Sequence, residues 1–170
     1  FDRLTSYQTY ISDKIKQEDI HVINTGIIDN VDKARLTGDL LVEQNVDILF
    51  LYIATYSLSS TILPIVQKLN KPVIILNLQP SPGIDMDVVN SLKDKGAMTG
   101  LWLEHCQACS VPEVCAILNR TNIQYDIVTG YLTDEEAWKA IKQYISAIQV
   151  KNNLQNSQLG ILGHYYNGML

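Results

Sequence analysis

Apolar positions recur along the chain with two alternating periods, and the alternation predicts its elements. Leu4, Tyr7, Ile11 and Ile15 stand at helical spacing, so residues 2–17 predict an amphipathic helix. Residues 20–25 are a short apolar run with two polar positions, a predicted strand. Asp29 is a suitable N-cap for a helix reaching about Glu43. Residues 47–53 (DILFLYI) and 72–78 (PVIILNL) are short and nearly continuously apolar, as strands covered on both faces of a parallel sheet are. Residues 58–69 predict the helix between them, with Pro64 marking a kink or a late start. Pro80, Pro82 and Gly83 then punctuate a loop.

Asp85 or Asp87 caps a helix to about Lys95. Gly96 and Gly100 interrupt that pattern, so residues 99–108 predict a separate helix. Ser110, Pro112 and Glu113 form a helix-start signature for a helix to about Thr121. Residues 125–129 (YDIVT) predict a third parallel-type strand. Thr133 with Glu136 three positions on is a capping box for a helix to about Val150. Residues 151–158 are polar and read as a linker or exposed turn. Residues 159–162 predict a last strand, turning at Gly163.

Strand–helix alternation of this kind predicts an α/β fold: a doubly wound parallel sheet with helices on both faces, a Rossmann- or flavodoxin-like three-layer arrangement. In the sheet order 2-1-3-4-5 the first strand is central. This chain opens in a helix, so either that strand lies upstream of Phe1 or the topology differs. The expected division is an N-terminal α/β domain over 1–158, with 159–170 as the truncated start of a second α/β domain.

Composition narrows the function classes. Of 170 residues, 46% are hydrophobic and 18% charged, which excludes a disordered chain. The net charge is −5 and the 13 Lys and Arg are scattered, which argues against nucleic acid as a partner. No run approaches the ~20 apolar residues of a membrane span. Three cysteines cannot all pair internally; they read as reduced thiols of a cytoplasmic protein.

In an open parallel sheet, ligands bind beyond the carboxyl ends of the strands. Residues 54–57 (ATYS), 77–83 (NLQPSPG), 129–131 (TGY) and 163–168 (GHYYNG) fall there. They carry hydroxyls, amides and aromatic rings but few charges, a rim suited to a neutral polyol or sugar, or else ordinary loop residues. His105, Cys106, Cys109 and Cys115 hold only one CxxC and no second ligand pair, so no metal site is expected in this chain, and the cysteines read first as structural. No glycine-rich nucleotide loop, P-loop lysine or GxSxG serine is present. His164 is the histidine best placed for function, His21 a structural one. The acids are explained by helix starts, where the macrodipole favours them. No catalytic residue is therefore expected in this chain.

Several segments in order carry a family resemblance: 51–57 (LYIATYS), 69–72 (LNKP), 76–80 (LNLQP), 84–87 (IDMD), 128–130 (VTG), and Leu162–Gly163 with Gly168–Met169. Over residues 47–170 they resemble the N-terminal part of the L-arabinose/L-fucose isomerase family. The resemblance implies a cytoplasmic aldose–ketose isomerase of roughly three times this length. It would be trimeric or hexameric, with a site shared between subunits. A divalent metal, commonly Mn2+, and two acidic residues in later domains would move a proton through an enediol. The present domain would supply sugar contacts and be inactive alone. Tyr56 matches an aromatic that packs on the sugar, Gln79 the amide of a His-Thr-Gln motif, and Met169 a methionine near the domain border. Thr55 matches a threonine that fixes the loop. The family's histidines are replaced by Ala54 and Asn77, and its second threonine by Leu78, which points away from L-arabinose itself toward another pentose or deoxyhexose.

The competing reading is a non-catalytic sugar-binding module of the periplasmic-binding type, which shares the alternation and the polar strand ends. A flavodoxin- or response-regulator-like interaction domain is a third.

Overall fold

The structure, a computed structural model, describes residues 2–160 and 163. In chain order the elements are α1 (Asp2–Lys16), α2 (Val31–Glu43), β1 (Leu49–Tyr52), α3 (Ser59–Leu69), β2 (Val73–Gln79), α4 (Met86–Ser91), α5 (Lys95–Leu103), α6 (Gln107–Arg120), β3 (Tyr125–Tyr131) and α7 (Glu135–Gln155). The three strands form an open, wholly parallel sheet in the order β1-β2-β3. Leu49 stands opposite Val73, and Val73 opposite Tyr125.

Alternation along β2 builds two cores. Ile74, Leu76 and Leu78 meet Ile11 and Ile15 of α1 and Trp138, Ile141 and Ile145 of α7 on one face. Val73 and Ile75 meet Ile62 and Val66 of α3 and Val111, Val114 and Leu118 of α6 on the other. Helices thus cover both faces of β2, as its apolar run requires. Each such side chain contributes about 1.5–3 kcal/mol by leaving water. α2 packs outside α3, Ala34 and Leu41 against Ile65 and Leu69. Gly38 allows that approach: a Cβ there would lie 3.0 Å from the Pro64 carbonyl oxygen. Pro64 sits inside α3, which starts at Ser59, so the late start does not occur.

Helix ends depart from the sequence expectations in instructive ways. Asn30, not Asp29, caps α2, accepting from the Lys33 amide. Asp134, one residue after Thr133, caps α7 by accepting from the Glu136 and Ala137 amides. α7 then runs to Gln155, so most of the expected linker at 151–158 is helix. Asp85 caps a short α4 that ends at Ser91, and Asp94 caps α5. α6 begins at Gln107, which leaves Pro112 and Glu113 inside it rather than at its start. Glu113 instead accepts from the Ser59 amide, at the start of α3. β3 is covered only in part: Val128 is buried in one core and Tyr125 is half-buried against the other, while Asp126, Ile127 and Thr129 are exposed, so it is not a doubly buried strand.

Residues 20–25 carry a strand pattern but join no ladder. The turn before them is nevertheless built like the others. Asp19 follows α1 with φ 54°, while Asn45, Asn70 and Asn122 follow α2, α3 and α6 with φ 46°, 46° and 55° and lead into β1, β2 and β3. Short polar side chains tolerate this left-handed turn at a helix end. Leu159 and Gly160 form no strand, and the rest of the expected strand at 159–162 lies outside the described residues. Among the described residues no helix is long and apolar enough to cross a membrane.

Candidate functional site

The parallel sheet gathers three chain segments at one edge, the carboxyl ends of its strands. Past β1, residues 54–57 form a loop pinned from beneath by the corner between α5 and α6. Thr55 Oγ1 donates to the Leu103 carbonyl at 2.8 Å. Gln107 Nε2 donates to the Ala54 carbonyl at 3.2 Å and the Glu104 carbonyl at 2.7 Å. The Ser57 amide donates to Ser110 Oγ at 2.8 Å. Thr55 therefore fixes this loop, and Tyr56 is left 49% exposed.

At the end of β2, Gln79 is half-buried and lies opposite Tyr131 of β3. Its backbone carbonyl accepts from the Leu132 amide at 2.8 Å, and its side-chain amide has no hydrogen bond among the described residues. Asn77 and Thr129 fall within the strands, where Asn77 Nδ2 donates to Thr129 Oγ1 at 3.2 Å. Asn77 Oδ1 is buried without a partner. In the next loop Ser81 Oγ donates to the Gly83 carbonyl at 2.7 Å and lies 3.1 Å from His105 Nε2. His105 Nδ1 is 3.2 Å from the Leu101 carbonyl, an acceptor only, so Nδ1 is the protonated nitrogen there.

Tyr56 and Gln79, expected from the sequence to touch sugar, thus share one rim at the ends of adjacent strands. Met169, the third expected contact, and His164 lie outside the described residues. The sequence reading missed the corner at Glu104–Gln107. Glu104 is buried, forms a 2.7 Å ion pair with Arg3 and accepts from the Tyr7 hydroxyl at 3.0 Å. Burial and the Glu104 carboxylate hold the Tyr7 hydroxyl above its ordinary pKa, and burial does the same to Tyr52. The available signal was Glu104 and Gln107 set among Trp102, Leu103 and Cys106, polar residues inside an apolar run.

The cysteines are local. Cys106 is buried at the start of α6, and its thiol donates to Cys109 Sγ at 2.8 Å. Burial pushes the Cys106 thiol up to about 11. Cys115 packs in the core between α3, α6 and the sheet. Among the described residues no group of three or more His, Cys, Asp or Glu converges as metal ligands would.

Among the described residues the rim therefore offers hydroxyls, amides and the exposed Tyr56 ring. Such a surface can orient a neutral polyhydroxyl ligand. Compared with protein-family models and with curated proteins, the sequence returns no match.

Proposed function

We propose that this chain is the substrate-positioning domain of a metal-dependent aldose–ketose isomerase, related to the L-arabinose/L-fucose isomerases and acting on a pentose or deoxyhexose. The fold in this reading is doubly wound and flavodoxin-like. The whole protein is a cytoplasmic homo-oligomer, and its divalent metal and proton-shuttling acids are contributed by other domains. The observation that carries the reading is the rim itself. A half-exposed Tyr56 stands on a loop locked by Thr55 and Gln107, and the Gln79 side-chain amide, with no hydrogen bond among the described residues, stands at the end of the neighbouring strand. A ring face and a carboxamide are what a sugar needs for its apolar face and its hydroxyls.

The test is kinetic. In the full-length oligomer supplied with Mn2+ and a panel of aldoses, Gln79→Ala and Tyr56→Ala should raise KM several-fold and leave kcat less affected, because both groups bind without reacting. The 170-residue chain alone should be inactive on the same panel. Activity from the isolated chain, or unchanged sugar kinetics in both variants, overturns the reading.

A further inference from the structure

A cavity of about 1180 Å3 runs along the outer edge of β1, between that strand and residues 20–28. Both walls are strand-like. β1 is Leu-Phe-Leu-Tyr, and β2 is its one ladder partner among the described residues. The Leu49 and Ile53 amides donate to the Pro72 and Leu76 carbonyls of the β2 side. Backbone groups alternate sides along a strand, so those of Phe50 and Tyr52 face the cavity. On the far wall, residues 20–28 (IHVINTGII) carry a strand pattern and follow the same left-handed turn that leads into each strand, yet they pair with nothing in a ladder. Above and below, the cavity is lined by Ile11 and Ile15 of α1 and by Ile62 and Ile65 of α3. Among the described residues its lining includes no Lys, Arg or Glu, and its charged members are Asp19, Asp29 and Asp47.

We propose that this cavity is the seat of a further parallel strand, an uncharged run of about six apolar residues that hydrogen-bonds to the free edge of β1 and leads directly into α1. The volume fits. Six residues rising ~3.3 Å each, ~4.8 Å from the neighbouring strand, in a layer ~10 Å thick, fill about 950 Å3. The lining fits as well, because a strand there would send alternate side chains onto α1 and onto α3, both apolar, and so must itself be apolar on both faces. The connection selects the source. α1 lies along the cavity and delivers the chain to residues 20–28, so a strand in the cavity, α1 and that wall form one crossover unit, of the kind that is right-handed in nearly all proteins. The sheet order would then be wall, new strand, β1, β2, β3, with the new strand central. The inference is independent of what the rim binds.

The experiment uses the 170-residue chain and three extended forms. One carries a six-residue Val/Ile segment joined to Phe1 by a short flexible linker. The second carries the same segment and linker after Leu170. The third carries a Ser/Asn segment before Phe1. Amide hydrogen exchange at Phe50 and Tyr52 is the readout, with the melting temperature. The N-terminal Val/Ile form should slow exchange of both amides about a hundredfold or more and raise the melting temperature, while the other two forms do neither. Phe50→Pro removes the amide donor facing the cavity and spares the β2 ladder. It should abolish the gain in the extended chain, while Phe50→Leu, which keeps the amide and part of the packing against the first core, should retain it. The proposal is overturned if the N-terminal Val/Ile form exchanges like the parent. It is also overturned if the C-terminal form protects equally, or if the parent is already protected, whether by its own residues 161–170 or, with concentration dependence, by a second copy.

Discussion

Gly130→Ala tests how tightly the end of β3 is fitted to the start of α7. A Cβ at Gly130 would lie 2.5 Å from Asp134 Oδ2 and 3.0 Å from the Ala137 Cβ. Neither neighbour is free to give way: Ala137 is buried on α7, and Asp134 is the helix cap, with Oδ1 3.0 Å from the Glu136 amide. Moving the carboxylate loses the cap, about 1 kcal/mol. The remaining crowding against Ala137 costs a further ~1–3 kcal/mol. Reduced freedom of the unfolded chain offsets ~0.4–1 kcal/mol of this. The net expectation is about 2 kcal/mol, a fall of ~4–8 °C in melting temperature for a domain of this size. Urea unfolding followed by circular dichroism, with Asp134→Ala and the double variant, separates the parts. Asp134→Ala alone should cost about 1 kcal/mol. The double variant should cost less than the two single changes together, by about 1 kcal/mol, because the clash with the carboxylate is then gone. A Gly130→Ala variant within ~0.5 kcal/mol of the parent, or strictly additive costs, refutes the reasoning.

Two further outcomes follow from buried groups. The Tyr52 hydroxyl is buried with no hydrogen-bond partner among the described residues, so Tyr52→Phe should stabilise the chain at neutral pH by about 1 kcal/mol. Burial holds its folded-state pKa above the ordinary 10.0, so the unfolded chain releases that proton first, and stability present below pH 10 falls as the pH rises beyond it. Urea unfolding at pH 8 and pH 10.5 should show a smaller alkaline loss in Tyr52→Phe than in the parent, and parallel losses contradict the assignment. Alkylation at pH 8 followed by mass mapping should label exposed Cys109 well before buried Cys106, whose thiol is pushed up to about 11; equal rates would count against this packing.

The three ladder strands and most helices were legible because their apolar periods are strong. The runs 47–53 and 72–78 could be read as buried strands since both faces of each are apolar, and β1 and β2 fall within a residue or two of them. Caps were placed one residue early at α2 and α7, where Asp29 and Thr133 stand next to equally suitable Asn30 and Asp134, and only backbone geometry chooses between such neighbours. α6 was started too late because Pro112 is a strong start signal, yet a proline inside a helix is tolerated when packing holds the rest, as Val111 and Val114 do here. The pattern of residues 20–25 predicts a strand, but a ladder needs a partner at hydrogen-bonding distance, which no local pattern supplies. In the rim, Tyr56 and Gln79 could be singled out from the strand-end rule and the family resemblance. The Glu104–Gln107 corner could not, because it is assembled from contacts with Arg3, Tyr7 and Ala54, far away in sequence.

That corner has a mechanical consequence. Through Glu104 it grips α1, through Gln107 and the Leu103 carbonyl it grips the loop after β1, and through His105 it touches the loop after β2. Three segments remote in sequence are thus yoked to five consecutive residues, 103–107. A shift of the backbone at Tyr56 would pull on the Thr55 and Gln107 hydrogen bonds that hold its loop to the corner. The corner therefore ties the loops after β1 and β2 to α1, and the Arg3–Glu104 pair stands at the α1 end of that tie.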